Sequence, residues 1–171
     1  MTPTLKRLLR TSVILVVLCS NIGCDQISKN IVRQHVALHE QISLVSNHLI
    51  LTKVENTGAF LSAGDSLPQP FKGLLLIALP LLALAVGIRY LMTKSLSWTM
   101  IIGICFGIGG GLGNIYDRIM YGSVTDFLHI SFGFVRTGIF NMADVSVMIG
   151  AALIFADTYF KRRNENSHLM R

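Results

Sequence analysis

Two carboxylates, Asp126 and Asp144, stand on either side of a polar segment that joins two apolar stretches of the sequence. Asp126 follows an apolar, glycine-rich stretch, and Asp144 lies just inside the next apolar stretch. If both stretches are helices that cross a bilayer, one loop joins them and the two carboxylates lie near the same membrane face. Two neighbouring carboxylates share one proton, so that together they can activate a water molecule at the boundary between water and lipid.

The residues of this region also have structural explanations. Asp144 lies three residues after Asn141, a spacing that suits a helix N-cap followed by a first-turn carboxylate. Asp126 could be an ordinary acidic residue of a loop. Asp117 and Arg118 could form an ion pair at the membrane interface. Taken singly, none of these residues distinguishes catalysis from structure.

Two further pairs have members four residues apart, which suits ion pairs on a helix. Asp25 and Lys29 lie at the end of the first apolar stretch, and Asp157 precedes Lys161 at the end of the last one. Ionisable side chains at membrane depth are energetically costly and are usually functional. For Asp157, which adjoins a basic tail, we expect a structural role.

No metal site is predicted from the cysteines and histidines. The three cysteines, at positions 19, 24 and 105, form neither a CxxC pair nor another metal-ligand spacing. Because Cys19 and Cys105 lie in apolar stretches, we expect them to be small buried side chains. His35 and His39 are four residues apart, but the sequence HVALHE lacks the HExxH order of a metalloprotease helix.

The composition is typical of an integral membrane protein with a single domain. Of the 171 residues, 51% are hydrophobic and 14% are charged, and the mean hydropathy is +0.57. In soluble domains about a quarter of the residues are charged. The formal charge of +6 would suggest a nucleic-acid partner in a soluble protein. The positions of the basic residues beside apolar stretches explain this charge better, and no nucleic-acid partner is expected.

Four membrane-spanning helices are predicted from the apolar stretches, because a span requires about 20 residues. Their approximate ranges are 8–27, 73–92, 98–114 and 140–160. Pro80 lies in the middle of the second span and predicts a kink there. In the third span, Gly103, Gly107 and Gly111 recur every four residues, which predicts a face for close packing against another helix.

The distribution of basic residues predicts the topology. Nine of the 15 Lys and Arg residues lie in the three short segments 6–10, 89–94 and 161–171. Because basic residues accumulate on the cytoplasmic side, we expect both termini in the cytoplasm and the segments 29–70 and 117–139 outside. Within the first outer segment, Ile42–Val54 has apolar and β-branched residues around Ser46 and Asn47, which predicts a β-hairpin.

The first apolar stretch has an alternative interpretation as a cleaved signal peptide. A basic segment precedes it, and the tripeptide that ends at Cys24 resembles the end of a lipoprotein cleavage site. The chain could then itself be a lipoprotein that is modified at Cys24. Asn21, however, stands where such a site has an aliphatic residue, and we therefore predict that the first span is retained.

Five sequence blocks carry a more specific signal than any single residue. In chain order they are CDQISK (24–29), ENTGAF (55–60), GGGLGNIYDR (109–118), GSVTDF (122–127) and FNMADV (140–145). In the same order, these blocks resemble the motifs of bacterial lipoprotein signal peptidase, also called signal peptidase II. The resemblance covers nearly the whole chain, including the four spans and the basic ends.

This resemblance implies a mainly α-helical membrane protein with four transmembrane helices and a small β-structured cradle on the outer face, near Ile42–Gly64. It implies an aspartic endopeptidase of the bacterial inner membrane, with its active site at the outer face. The substrates would be diacylglyceryl-modified prolipoproteins, cleaved on the amino side of the lipidated cysteine. Besides these substrates and membrane lipid, no partner, cofactor or metal is implied, and we expect a monomer.

The resemblance also assigns residues to the site. The catalytic pair of the family maps onto Asp126 and Asp144. The other polar motif residues, which would bind substrate or support the pair, map onto Asp25, Lys29, Asn56, Asn114, Asp117, Arg118 and Asn141.

The alternative function is that of a small ion-coupled transporter or channel subunit with the same carboxylates as a proton relay. Transport favours acidic residues near the middle of the bilayer. Because Asp126 and Asp144 are expected together at one end of their helices, the sequence favours the peptidase.

Overall fold

The computed structural model of the protein describes all residues except 1, 46, 47, 60–63, 65, 170 and 171. The described part of the chain forms helices at one end of a small antiparallel sheet. In chain order the elements are α1 (Pro3–His35), β1 (Gln41–Val45), β2 (Leu49–Asn56), α2 (Gln69–Gly73), a π-helical turn (Leu74–Ala78), α3 (Leu79–Thr93), α4 (Trp98–Tyr121), β3 (Val124–Phe132), β4 (Val135–Phe140) and α5 (Met142–Leu169).

Four helices are long and apolar enough to cross a membrane, which confirms the predicted fold class. They comprise Pro3–His35, Pro70–Thr93, Trp98–Tyr121 and Met142–Arg163. α1 has 33 residues, or about 50 Å at 1.5 Å per residue, so it is longer than the roughly 30 Å hydrocarbon layer. α4 continues to Tyr121 instead of ending near residue 114. As a result, Asp117 and Arg118 lie on a helix and not in a loop.

The ends of α4 are capped by its own flanking residues. The side chain of Ser97 accepts a hydrogen bond from the backbone N–H of Met100 at 3.1 Å. Gly122 ends the helix with a φ of 76°, in the left-handed region that favours glycine. The Ser97 hydroxyl also donates a hydrogen bond to Asp157. The predicted ion pair of Asp157 with Lys161 is therefore wrong, since the ion pairs of the described residues do not include it.

The second span contains a π-helical turn directly before Pro80. The backbone N–H of Leu79 donates to the carbonyl of Leu74, five residues earlier. Proline has no N–H to donate to the preceding turn, and widened turns of this kind are a common way for a helix to absorb such a defect. The disturbance that Pro80 predicts is thus located in the turn Leu74–Ala78.

The four strands form one antiparallel sheet in the order β1-β2-β3-β4. The predicted hairpin is confirmed for β1 and β2, where Gln41 lies opposite Thr52; its turn at 46–47 lies outside the described residues. β3 and β4 arise from the second polar segment, for which no strands were predicted. In β3, Asp126 lies opposite Val54, so the interpretation of Asp126 as a loop residue is wrong.

Glycines allow α4 to approach both α1 and α5 closely. A Cβ atom at Gly109 would lie 2.8 Å from the Cβ of Asn21 on α1, and one at Gly110 would overlap the carbonyl oxygen of Ala143 on α5. A Cβ atom at Gly113 would likewise overlap a carboxylate oxygen of Asp25. The helix backbones are therefore in contact at the level where α5 begins.

The predicted glycine face at positions 103, 107 and 111 is divided between two neighbours. A Cβ atom at Gly150 of α5 would lie 2.6 Å from the oxygen of Gly103 and 2.7 Å from the nitrogen of Gly107. Gly111 instead faces Leu84 of α3, since a Cβ atom at Gly111 would lie 3.0 Å from the nearest methyl group of Leu84. The single packing face that the spacing predicted is thus wrong, because α4 has helices on several sides.

The surface of the helices is largely apolar, as expected for contact with lipid. Leu8 and Leu82 are each 62% exposed, and Met148 is 71% exposed. Cys105 is buried as predicted, but Cys19 is exposed on α1. In a membrane helix an apolar stretch does not predict burial within the protein, because its outer side can face lipid.

Candidate active site

Asp126 lies on β3, where two carboxamide side chains hold its carboxylate. Asp126 is only 4% exposed. Nδ2 of Asn141 donates to Oδ1 at 2.6 Å, and Nδ2 of Asn56 donates to Oδ2 at 2.9 Å. The two oxygens of the carboxylate are thus fixed in a plane by donors from β2 and from the residue that precedes α5.

Asp144 occupies the first turn of α5 and forms a reciprocal cap with Asn141. The backbone N–H of Asn141 donates to Oδ2 of Asp144 at 3.1 Å, and the backbone N–H of Asp144 donates to Oδ1 of Asn141 at 3.0 Å. This is the arrangement of a capping box, so the structural interpretation of Asp144 describes a real contact. Asn114 adds a hydrogen bond from Nδ2 to Oδ1 of Asp144 at 2.9 Å.

Asn141 connects the two carboxylates through opposite ends of one side chain. Its oxygen binds the backbone of Asp144, and its Nδ2 binds Asp126. The cap of α5 therefore also sets the position of Asp126 relative to Asp144. Structural and catalytic interpretations of Asp144 do not exclude one another.

Both carboxylates line one cavity of about 180 Å³ between the sheet and the helices. One part of its wall is polar and comes from β2, α4 and the start of α5. The opposite part is apolar and comes from the π-helical turn and the start of α3. The lining residues are Asn56, Ala59, Leu75, Leu76, Pro80, Asn114, Arg118, Val124, Asp126, Ile139, Asn141 and Asp144.

Arg118 ties α4 to the segment that follows β2. Its guanidinium donates to the carbonyl of Gly58 at 2.8 Å and to that of Asn114 at 3.3 Å. The third nitrogen, Nε, is buried and has no hydrogen-bond partner among the described residues. Since buried polar atoms rarely lack a partner, this nitrogen is available for a group that enters the cavity.

Burial raises the pKa of Asp126 to about 6, from an ordinary value of 3.8. The negative charge of Asp144 acts in the same direction, whereas the hydrogen bonds from Asn56 and Asn141 and the charge of Lys29 lower the pKa. Burial dominates because an ionised carboxylate loses most of its hydration at this position. Asp126 therefore binds a proton at a much higher pH than an exposed aspartate does.

A buried charge network lies behind the cavity, around the fully buried Lys29. The Lys29 ammonium lies 2.9 Å from Asp25, 3.0 Å from Asp117 and 2.8 Å from the side-chain oxygen of Asn114. Arg33 forms a second ion pair with Asp117 at 2.9 Å. Two positive and two negative groups thus compensate one another, as buried charges require.

This network contacts the candidate site at two points. Oδ1 of Asp25 accepts a hydrogen bond at 2.9 Å from the backbone N–H of Ala143, in the first turn of α5. Asn114 accepts from the Lys29 ammonium through its oxygen and donates to Asp144 through its nitrogen. The buried charges therefore fix both the start of α5 and the donor to Asp144.

The predicted site residues divide into these two groups. Six line the cavity, namely Asn56, Asn114, Arg118, Asp126, Asn141 and Asp144. Asp25, Lys29 and Asp117 belong to the buried network and do not line the cavity. Arg33 and Gln26 were not predicted. Arg33 follows Lys29 by four residues on the same helix face, which was the available signal, and Gln26 donates to both Asp25 and Asp117.

The sequence matches the family model of signal peptidase II over residues 15–160. The chain belongs to the signal peptidase II family. Lipoprotein signal peptidases similar to it include that of Syntrophus aciditrophicus, 30% identical over 83% of this chain and 89% of the relative. That of Mesorhizobium japonicum is 35% identical over 86% of this chain and 85% of the relative.

Two solved structures described as bacterial membrane enzymes share the fold. The first has a TM-score of 0.80 at 24% identity, covering 90% of this chain and 91% of that chain. The second has a TM-score of 0.74 at 23% identity, covering 85% and 91%. Membership of the signal peptidase II family, together with four apolar helices, identifies a multi-pass bacterial membrane protease of lipoprotein processing.

Proposed function

We propose that this signal peptidase II is an aspartic endopeptidase in which Asp126 and Asp144 activate a water molecule. Its substrates are diacylglyceryl-modified prolipoproteins, which it cleaves on the amino side of the lipidated cysteine. The observation that carries the proposal is that both carboxylates line one cavity and are connected through Asn141. Among the described residues that line the cavity, Asp126 and Asp144 are the only carboxylates.

The two carboxylates would share one proton, because two close negative charges in a poorly hydrated cavity repel each other. We assign the shared proton to Asp126, because burial raises its pKa to about 6. Asp144 would then accept a proton from the attacking water. Asp126 would donate a hydrogen bond to the scissile carbonyl, and a proton would then pass to the leaving amine.

The cavity walls suit a peptide bond that lies at the edge of a bilayer. Leu75, Leu76 and Pro80 provide an apolar wall on the side of the second span, where lipid chains can remain in the membrane. On the polar wall, the buried Nε of Arg118 would donate a hydrogen bond to the substrate backbone. The enzyme would thus bring water to the peptide bond without removing the lipid anchor from the bilayer.

Asp25, Lys29 and Asp117 would act as positioning residues in this reaction. Asp25 accepts a hydrogen bond from the first turn of α5, and Lys29 donates to the side-chain oxygen of Asn114. These contacts would orient the Asn114 amide group that donates to Asp144. Holding reacting groups within a fraction of an ångström is a large part of catalysis, and a buried charge network is stiff because breaking it exposes unpaired charges.

The orientation and assembly belong to the same proposal. From the basic segments we infer that both termini lie in the cytoplasm and the cavity at the outer face of the inner membrane. One chain supplies both carboxylates and their donors, so a monomer with a single integral membrane domain suffices. The reaction as described uses no metal or organic cofactor.

The cleavage position tests this function directly. Purified protein in detergent or lipid is incubated with a diacylglyceryl-modified prolipoprotein and with the same precursor lacking the lipid. We expect cleavage of the lipidated precursor alone, with a product whose intact mass places its first residue at the modified cysteine. Cleavage at another bond, or equal cleavage of both precursors, would contradict the proposed specificity.

A further inference from the structure

A second hollow lies on the sheet, next to the candidate active site, and we call it the sheet hollow. It has a volume of about 410 Å³. Its lining residues are Gln41, Ile50, Thr52, His129, Ser131, Arg136 and Ile139. Ile139 also lines the cavity that contains Asp126 and Asp144. The two hollows therefore adjoin at this residue.

The strand register gathers the lining residues on one face of the sheet. His129 lies opposite Ile50 on one side and opposite Ile139 on the other. Ser131 lies opposite Arg136. Residues that lie directly opposite on antiparallel strands point to the same face. The sheet hollow thus extends across one face of the sheet. Asp126 lies three residues before His129 on β3 and therefore points to the other face, so the hollow and the active-site cavity adjoin at Ile139 on the edge strand β4.

The chemistry of the sheet hollow is that of a donor-rich, positively charged site. None of the ion pairs among the described residues includes Arg136, which is exposed at the hollow. Nδ1 of His129 is buried and has no hydrogen-bond partner among the described residues. Thr52 and Ser131 add hydroxyl groups, and the lining includes neither Asp nor Glu. The exposed guanidinium of Arg136, with two hydroxyl groups in the same lining, indicates an acidic or polar ligand.

The position of the hollow indicates which part of a substrate reaches it. The sheet lies at the end of the bundle where α4 ends and α5 begins. In the proposed reaction, the signal peptide and the lipid chains are apolar and remain alongside the helices. The mature chain is the polar part, and it leaves the cavity towards the sheet.

The strand register gives the order in which a substrate chain would meet this surface. A chain that leaves the two carboxylates around the edge strand at Ile139 first meets His129, which lies opposite Ile139, and then Ser131 and Arg136. Because an extended chain advances only about 3.3 Å per residue, we assign this contact to the residues that closely follow the cleaved bond.

We propose that the sheet hollow binds the first residues of the mature lipoprotein after its cysteine, and that Arg136 favours an acidic side chain there. This inference rests on the proposed function, because it needs a substrate cleaved between Asp126 and Asp144. It adds a specificity for the peptide sequence to the recognition of the lipid.

Charge-changing substitutions in the enzyme and in the substrate test the inference. Three lipidated precursors differ only at the third residue of the mature chain, which is Asp, Asn or Lys. For the wild-type enzyme we expect kcat/KM to fall in that order, with about a three- to fivefold difference between Asp and Lys, the size of a partly exposed ion pair. Arg136→Gln should remove the preference, and Arg136→Glu should reverse it.

Two comparisons separate this inference from the proposed function. Arg162→Glu makes the same charge change at the opposite end of the bundle and should keep the wild-type order, while cleavage of the Asn precursor shows that each variant is folded. Equal rates for the three precursors, or an unchanged order in an active Arg136→Glu enzyme, would overturn the inference alone. If the wild-type enzyme cleaved none of them, the proposed function itself would fail, and the inference with it.

Discussion

At the scale of single residues, the contact between Asp144 and Asn141 caps α5 and, in the proposed mechanism, also positions the two carboxylates. The capping box satisfies backbone N–H groups at the start of α5. The remaining Nδ2 of Asn141 reaches Asp126. The pair Asn141 and Asp144, which the sequence explains as a helix cap, therefore also positions Asp126. For this reason the three-residue spacing alone did not decide the role of Asp144.

Asp126 predicts a pH dependence of stability. Because its pKa in the folded protein is raised from 3.8 to about 6, the folded protein keeps a proton that the unfolded chain has already released over this pH range. The contribution of Asp126 to the free energy of unfolding is therefore fully present at acidic pH and is lost as the pH rises from about 4 to 6. The difference amounts to at most about 3 kcal/mol.

Thermal unfolding of purified protein measures this effect. We expect the wild-type unfolding temperature to fall between about pH 4 and pH 7 by more than that of Asp126→Asn, in which the group does not titrate. If both proteins showed the same change with pH, the buried carboxylate would not be the cause.

At the scale of secondary structure, the sequence predicted the helices better than the strands or their contacts. Four helices follow from hydropathy, because a bilayer requires long apolar stretches. β3 and β4 were not predicted, since VTDFLHISF alternates only in part and pairs with β2 across a sequence separation of about 70 residues. Arg33 was missed because its partner Asp117 lies on another helix, which α1 approaches through glycine contacts.

The glycines of α4 provide a prediction about helix packing. In Gly110→Ala the new methyl group would overlap the carbonyl oxygen of Ala143, a backbone atom next to Asp144. Overpacking of this kind typically destabilises by about 1–3 kcal/mol, and the displaced start of α5 should also reduce activity.

Gly107→Ala is the matched control on the same helix. A Cβ atom at Gly107 would meet nothing within 4 Å, and alanine favours a helix by up to about 1 kcal/mol over glycine. We expect unchanged or slightly higher thermal stability and unchanged cleavage. Equal loss of stability in both variants would show that α4 does not approach α5 as described.

At the scale of the whole molecule, three basic segments lie at one end and the candidate active site at the other. The segments 6–10, 89–94 and 161–163 contain eight of the 15 Lys and Arg residues, and the sheet with its two hollows lies at the other end. Arg10 contacts the carbonyl oxygens of Leu91 and Lys94, which joins two of the basic segments. The sequence predicted this polarity from charge and hydropathy, but the paired cavities required the register of the sheet.

Reporter fusions test the orientation of the molecule. Since basic residues accumulate on the cytoplasmic side, fusions after Lys94 and Arg163 should report a cytoplasmic location. Fusions at His48 and Gly133, in the sheet connections, should report an external one. A cytoplasmic signal at His48 would contradict the four-span topology and place the two carboxylates in the wrong compartment.

The central claim is that Asp126 and Asp144 perform the reaction as a pair. Its most direct test is the rate of cleavage of a lipidated prolipoprotein by Asp126→Asn, Asp144→Asn, the double variant and Asp157→Asn. Asparagine has nearly the size of aspartate but neither accepts nor delivers the proton, so each single variant should lose at least about 10²–10⁴ in rate. The double variant should be scarcely slower, because the two groups act together.

Asp157→Asn is the control, since asparagine can still accept the hydrogen bond from Ser97, and it should cleave at the wild-type rate. All four variants should insert in the membrane in normal amounts, so that a lost rate reports chemistry and not folding. If Asp126→Asn or Asp144→Asn retained a rate close to that of the wild type, that carboxylate would not take part in the reaction. The capping and sheet contacts would then be its whole role.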